Sequence, residues 1–224
     1  MSVDYELIVF DWDGTLMDSA GHITYCMRLA LKDMGIPSKP DQELQQVIGL
    51  GLMEAVMALV PGHNNDFYEA LTEAYRQHWL NSPPGLTHFF KGIPGMLSQL
   101  HAADICMAVA TGKSRRGLDK QFLEENVGHL FAASRCADET ASKPAPDMLL
   151  EILQELDKPA DKTLVIGDTE FDMQMAQSAG CDRIAVSYGV HDKVKLSPYS
   201  PLEMIHSPTE LVQWFNVNML HNDR

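Results

Sequence analysis

Tyr5-Glu6-Leu7-Ile8-Val9-Phe10-Asp11-Trp12-Asp13-Gly14-Thr15-Leu16 decides how the rest of this chain is read. An apolar run that suits a buried strand stops at two carboxylates one residue apart, and a Gly and a Thr follow at once. Like charges at a strand tip repel unless something binds them. A divalent cation answers that need, and Mg²⁺ suits a cluster of carboxylate oxygens. Asp and Gly are also ordinary turn formers, so the run alone leaves an acidic turn open.

Three later stretches follow, two of which repeat the arrangement of an apolar strand running into polar residues. Ile105-Cys106-Met107-Ala108-Val109-Ala110 leads into Thr111-Gly112-Lys113-Ser114, and Thr163-Leu164-Val165-Ile166-Gly167 leads into Asp168-Thr169-Glu170-Phe171-Asp172. Between them, Ser142-Lys143-Pro144-Ala145-Pro146-Asp147 places a lysine just before a helical stretch. In this order, from about Leu7 to Val186, the four motifs resemble those of the haloacid dehalogenase superfamily. Most members resembling this sequence are Mg²⁺-dependent phosphatases and phosphomutases.

Apolar runs alternate with helical patterns from about Met96 onward, which argues for a doubly wound parallel α/β sheet. The expected strands are 5–10, 105–110, 132–136, 163–167 and 183–187, and the expected helices 94–103, 115–125, 145–156, 170–179 and 208–217. Residues 19–86 read as helical throughout. Ile23, Cys26, Met27, Ala30, Leu31 and Met34 form one apolar stripe ended by Gly35, and further helices fit 41–48, 51–60 and 65–80. Asn81-Ser82-Pro83-Pro84-Gly85 reads as a return linker. The expected organisation is a Rossmann-like core from 1–18 and 87–224, with an all-helical cap at 19–86. This cap matches the phosphoglycolate phosphatase and β-phosphoglucomutase branch of the superfamily. Beyond Ser187 the pattern shows one more helix and a polar tail, suited equally to covering a sheet edge or joining a dimer.

With 224 residues the chain can bury a sizeable core. Its 31 acidic against 17 basic residues leave −14, with no basic block, which argues against a nucleic-acid partner. Cys26, Cys106, Cys136 and Cys181 form no C-x-x-C pair. The start from Met1 to Glu6 lacks a signal-peptide pattern, and no run reaches the ~18 apolar residues of a membrane span. The expectation is a cytoplasmic protein, monomer or homodimer, acting on a small phosphorylated metabolite without nucleic acid or membrane.

The resemblance implies the roles that follow. Asp11 is the nucleophile, forming an aspartyl-phosphate, and Asp13 the acid and base. Thr111 and the Gly112 amide hold the phosphoryl group, and Lys143 offsets the charge of Asp11 and phosphate. Asp168 binds Mg²⁺ with Asp11 and the backbone carbonyl of Asp13, and Asp172 supports the metal through water or Lys143. Dehalogenases and phosphonatases of the superfamily lack an Asp at position 13, so its presence argues for phosphate esters. Ile48-Gly49-Leu50-Gly51-Leu52 resembles the cap loop that touches substrate, with Gly49, Leu50 and Gly51 at its centre. It reads equally as a helix–helix turn. It offers no cation, so cationic reach is expected from Lys113, Arg115 or Arg116, which read otherwise as an exposed first turn of a helix. His22 reads as solvent-facing. Mutase relatives carry a cap His where Ile23 stands and an Arg in the cap loop, so a phosphatase is the favoured activity. Close phosphoglycolate phosphatases have Thr-Asn where Thr111-Gly112 stands, which leaves sugar phosphates and nucleoside monophosphates open as substrates. Receiver domains and a non-catalytic binding protein are the alternatives from other classes. The former phosphorylate an Asp after the third strand, and the latter would be marked by a lost catalytic carboxylate.

Overall fold

A computed structural model describes residues 5–220. The first four residues of the expected N-terminal start and the last four of the polar tail lie outside it.

Six strands form one sheet: β1 (Leu7–Phe10), β4 (Cys106–Thr111), β5 (Ala133–Cys136), β6 (Thr163–Gly167), β7 (Asp182–Val186) and β8 (Glu203–Ile205). Their order is β5-β4-β1-β6-β7-β8, and every neighbouring pair is parallel. A parallel sheet covered on both faces needs apolar residues on both sides of each strand, which is why β1 reads as an unbroken hydrophobic run. Alternation divides that run. Ile8 and Phe10 join the core beneath α5 (Ile93–Ala102), α6 (Arg115–Glu125) and α10 (Pro208–Phe215). Leu7 and Val9 join the core beneath α7 (Asp147–Leu156) and α8 (Glu170–Ala179). The five expected strands all form.

The C-terminal segment covers a sheet edge, one of the two roles expected for it. β8 extends the sheet beside β7, α9 (Lys193–Leu196) precedes it, and α10 returns Phe215 to within 5.9 Å of the Phe10 ring. An edge strand of three residues with one buried side chain carries too little pattern to be read from sequence.

α1 (Ala20–Asp33), α2 (Asp41–Gln45), α3 (Leu52–Leu59) and α4 (Asn65–Leu80) enclose an apolar core of their own, including Met27, Leu31, Leu44, Val56, Tyr68 and Leu71. Two short antiparallel strands stand at the ends of this insertion, β2 (Met17–Asp18) against β3 (His88–Phe89). α6 grips the exit: Lys120 Nζ donates to the Leu80 carbonyl (3.1 Å) at the end of α4, and Gln121 donates to Thr87 (2.9 Å) while accepting from Trp12 (2.6 Å).

Candidate active site

Strand order reverses about β1, so the carboxyl ends of β1, β4 and β6 open onto one crevice, the position where open α/β sheets bind ligands. Asp11 follows β1 directly, Thr111 ends β4, and Asp168 follows β6. Carboxylate oxygens of Asp11, Asp168 and Asp172 lie within 4.8 Å of one another, and all three residues are buried. Lys143, just ahead of α7 in sequence, reaches across with its whole side chain buried. Its Nζ donates to Asp11 Oδ1 at 2.6 Å and to Asp172 Oδ1 at 2.5 Å.

Each carboxylate has a different set of partners. Asp172 is fixed by a capping box at the start of α8, its Oδ2 accepting from the Thr169 amide and hydroxyl (3.0 and 2.6 Å). Asp168 accepts from Thr15 Oγ1 (2.9 Å) and from the Val190 amide (2.8 Å). Gly14, at φ +83°, leaves the space beside Asp168 that a Cβ would fill at 2.3 Å from its Oδ2. Asp11 Oδ2 is buried and has no hydrogen-bond partner, alone in this among the side-chain nitrogens and oxygens of the described residues.

Three buried carboxylates against one lysine leave excess negative charge. Burial, opposed by Lys143 and aided by the Asp172 charge, raises the Asp11 carboxyl to about 7. Asp168 is pushed well above the carboxylate range by burial and then by the charges of Asp11 and Asp172. Burial alone would lower the Lys143 ammonium, but its attraction to Asp11 and Asp172 raises it. A divalent cation satisfies this donor set. Hard oxygen donors converge, one buried oxygen is orphaned, and the surplus charge is negative.

Asp13 stands apart from this group. Its carboxylate accepts from Ser19 Oγ (2.6 Å) and from Lys113 Nζ through both oxygens (2.9 and 2.8 Å). Lys113 thus supplies cationic reach at the crevice, as one of the three expected residues, and is not an exposed first-turn lysine. It precedes α6, its side chain is only 7 % exposed, and its ammonium lies 3.9 Å from the centroid of the Trp79 ring of α4. Arg115 turns away from the crevice to Glu139 (2.7 and 2.9 Å) and Ser134. Arg116 lines the crevice from an exposed position. His22 is half-buried, 4.8 Å from the Trp79 ring, rather than solvent-facing.

A cavity of about 260 Å³ joins this crevice to the helical insertion, with Asp11, Asp13, Thr111 and Gly112 at one end. Ile48, Gly49, Leu50 and Leu52 of the expected cap loop line it, but Gly51 does not and instead donates its amide to Ser142 Oγ (2.6 Å). Gly112 faces the same loop. A Cβ there would stand 2.5 Å from the Leu50 carbonyl and 2.8 Å from that of Gly49, so the missing side chain admits the loop's backbone. Ile23, where mutase relatives carry a His, also lines the cavity.

Thr15, Ser19 and the 188–191 loop escaped the sequence reading as site residues. Thr15 lay in the opening motif and could have been found there, since a hydroxyl four residues past Asp11 matches a site that needs donors. Val190 acts through its backbone amide, which no side-chain pattern marks. Tyr188 donates to the Thr15 carbonyl (2.9 Å) and fastens that loop to the first motif.

Comparison with known proteins agrees with this architecture. A phosphoglycolate phosphatase from Aquifex aeolicus is 30% identical over 212 residues, covering 92% of this chain and 95% of its own. One from Aliivibrio fischeri is 29% identical over 209 residues, covering 90% and 92%. A haloacid dehalogenase-like family hydrolase from Streptococcus pneumoniae superposes with a TM-score of 0.82 at 23% identity, covering 95% of this chain and 99% of that one. Residues 8–186 match the family described as haloacid dehalogenase-like hydrolase, and the chain belongs to that family.

Proposed function

We propose that this hydrolase is a Mg²⁺-dependent phosphatase of small phosphate monoesters, similar to phosphoglycolate phosphatases, that works through an aspartyl-phosphate on Asp11. The observation that carries the reading is the state of Asp11. One oxygen is held by Lys143 at 2.6 Å and the other is buried and free beside Asp168. An oxygen so placed can attack phosphorus or bind a cation, and nothing in the protein competes for it.

Asp11 attacks phosphorus, and the ester P–O bond breaks as Asp13 gives its proton to the departing alkoxide. Water then attacks the aspartyl-phosphate, Asp13 takes a proton from it, and the P–O bond to Asp11 breaks to release inorganic phosphate. Asp13 is suited to both halves because it lies outside the carboxylate cluster, at the cavity end, held by Ser19 and Lys113. Thr111, Gly112 and Lys143 hold the phosphoryl group. Asp11, Asp168, the Asp13 backbone carbonyl and, through water or Lys143, Asp172 would hold Mg²⁺, which supplies charge neutralisation for the transferring group. Residues 19–86 act as the cap that excludes water, with Gly49 and Leu50 facing the substrate side and Gly51 anchoring the loop to Ser142. The four unpaired cysteines suit a reducing, cytoplasmic setting.

The test is phosphate release from 2-phosphoglycolate, sugar phosphates and nucleoside monophosphates, with and without Mg²⁺, beside Asp11→Asn. Mg²⁺-dependent release that disappears in the variant is the expected result. No release from any ester would leave a mutase or a binding protein.

A further inference from the structure

The cavity is built for more than the phosphate. Beyond the catalytic end its wall is apolar: Ile23, Met27, Leu44, Leu50, Leu52 and Trp79. Tyr75 extends that wall, its ring stacked with Trp79 at 6.3 Å and 16°. The charged groups that reach the cavity are mostly spent on one another. Glu73 and Arg76 pair across one helical turn at 3.8 Å, Lys113 donates to Asp13 at 2.8 Å, and Asp138 accepts the Arg115 amide at 2.8 Å. Arg116 remains, at an exposed position on the rim. At about 260 Å³ the space equals roughly nine water volumes at about 30 Å³ each.

We propose that the preferred substrate is a phosphate monoester whose leaving group is an apolar body, alkyl or aryl, packed against Ile23, Leu50, Tyr75 and Trp79, and not one carrying a second anionic group such as glycolate. This rests on the phosphatase reading for turnover, but not for binding. A carboxylate placed against Ile23, Leu50, Tyr75 and Trp79 would leave water for an apolar wall, whereas an apolar body there meets its like.

Two series separate the claims. n-Alkylphosphonates from ethyl to hexyl have no ester bond to break, so calorimetry reads the cavity without turnover. Affinity is expected to rise about fourfold per methylene until the space is filled, following burial of each CH₂. Half-buried Leu50 and Ile23 are changed separately, as Leu50→Asn and Ile23→Asn, and each is expected to flatten that slope. Phosphate release from the matching n-alkyl phosphates is expected to follow the same order and to exceed that from 2-phosphoglycolate. A flat phosphonate series, or 2-phosphoglycolate outrunning hexyl phosphate, overturns the inference. A rising phosphonate series with no phosphate release from any ester upholds the apolar cavity and sinks the phosphatase reading instead.

Discussion

Asp11 and Asp13 carry the same functional group one residue apart, and their surroundings divide them. Both lie just past the end of β1, where the chain leaves the strand, and the first meets Lys143, Asp168 and Asp172 while the second meets Ser19 and Lys113. One environment is crowded with negative charge, while the other gives each carboxylate oxygen a donor. The proposed division between nucleophile and proton carrier rests on that separation. Thr15 serves the first environment, since its hydroxyl is the side-chain donor that Asp168 receives. Thr15→Val keeps the shape and removes the donor from a fully buried pair. We expect a loss of about 1–3 kcal/mol, seen as a lower urea midpoint with an unchanged slope.

At the scale of elements, the β4–α6 connection meets the 48–52 loop across the cavity. Gly112 admits the carbonyls of Gly49 and Leu50, and Lys113 lies against Trp79 of α4. Farther along α6, Lys120 and Gln121 hold the exit of the helical insertion. One connection and one helix therefore touch the crevice, the 48–52 loop and the exit of the helical insertion. In Gly112→Ala the new methyl meets backbone, which has no rotamer to escape into. The loop must lift, and kcat/KM is expected to fall about a hundredfold from misplacement of the cap residues, while the circular dichroism melting curve keeps a single transition. An unchanged kcat/KM would show that the loop does not set the geometry of the site.

For the whole molecule, the three carboxylates come together only in the folded state, because residues 11, 168 and 172 meet when β1 and β6 pair, so a divalent cation held by them would bind the folded chain and not the unfolded one. Mg²⁺ at about a hundred times its dissociation constant should then stabilise the fold by about 2.7 kcal/mol. For a chain of this length that corresponds to a rise in Tm of about 5–10 °C. Differential scanning calorimetry with and without Mg²⁺ checks this, and Asp168→Asn is expected to abolish the shift.

Much of the fold was legible because both of its rules are local. Continuous apolar runs ending in Asp11, Thr111 and Asp168 mark strands buried on two faces, and the stripe from Ile23 to Met34 marks a helix with one buried face. The motifs likewise named Asp11, Lys143, Asp168 and Asp172, which the fold brings together although they are separated by up to 161 positions. What tertiary structure alone decided is less local. β8 forms because β7 offers an open edge, not because Glu203–Ile205 has a pattern of its own. Lys113 reads as a surface lysine until Trp79 and Asp13 arrive from distant segments to cover it, and Val190 enters the site through an amide that every residue but proline possesses. Periodicity records which side of an element is buried. Only the packed chain records what lies against it, because that depends on where other elements put their side chains and backbone dipoles.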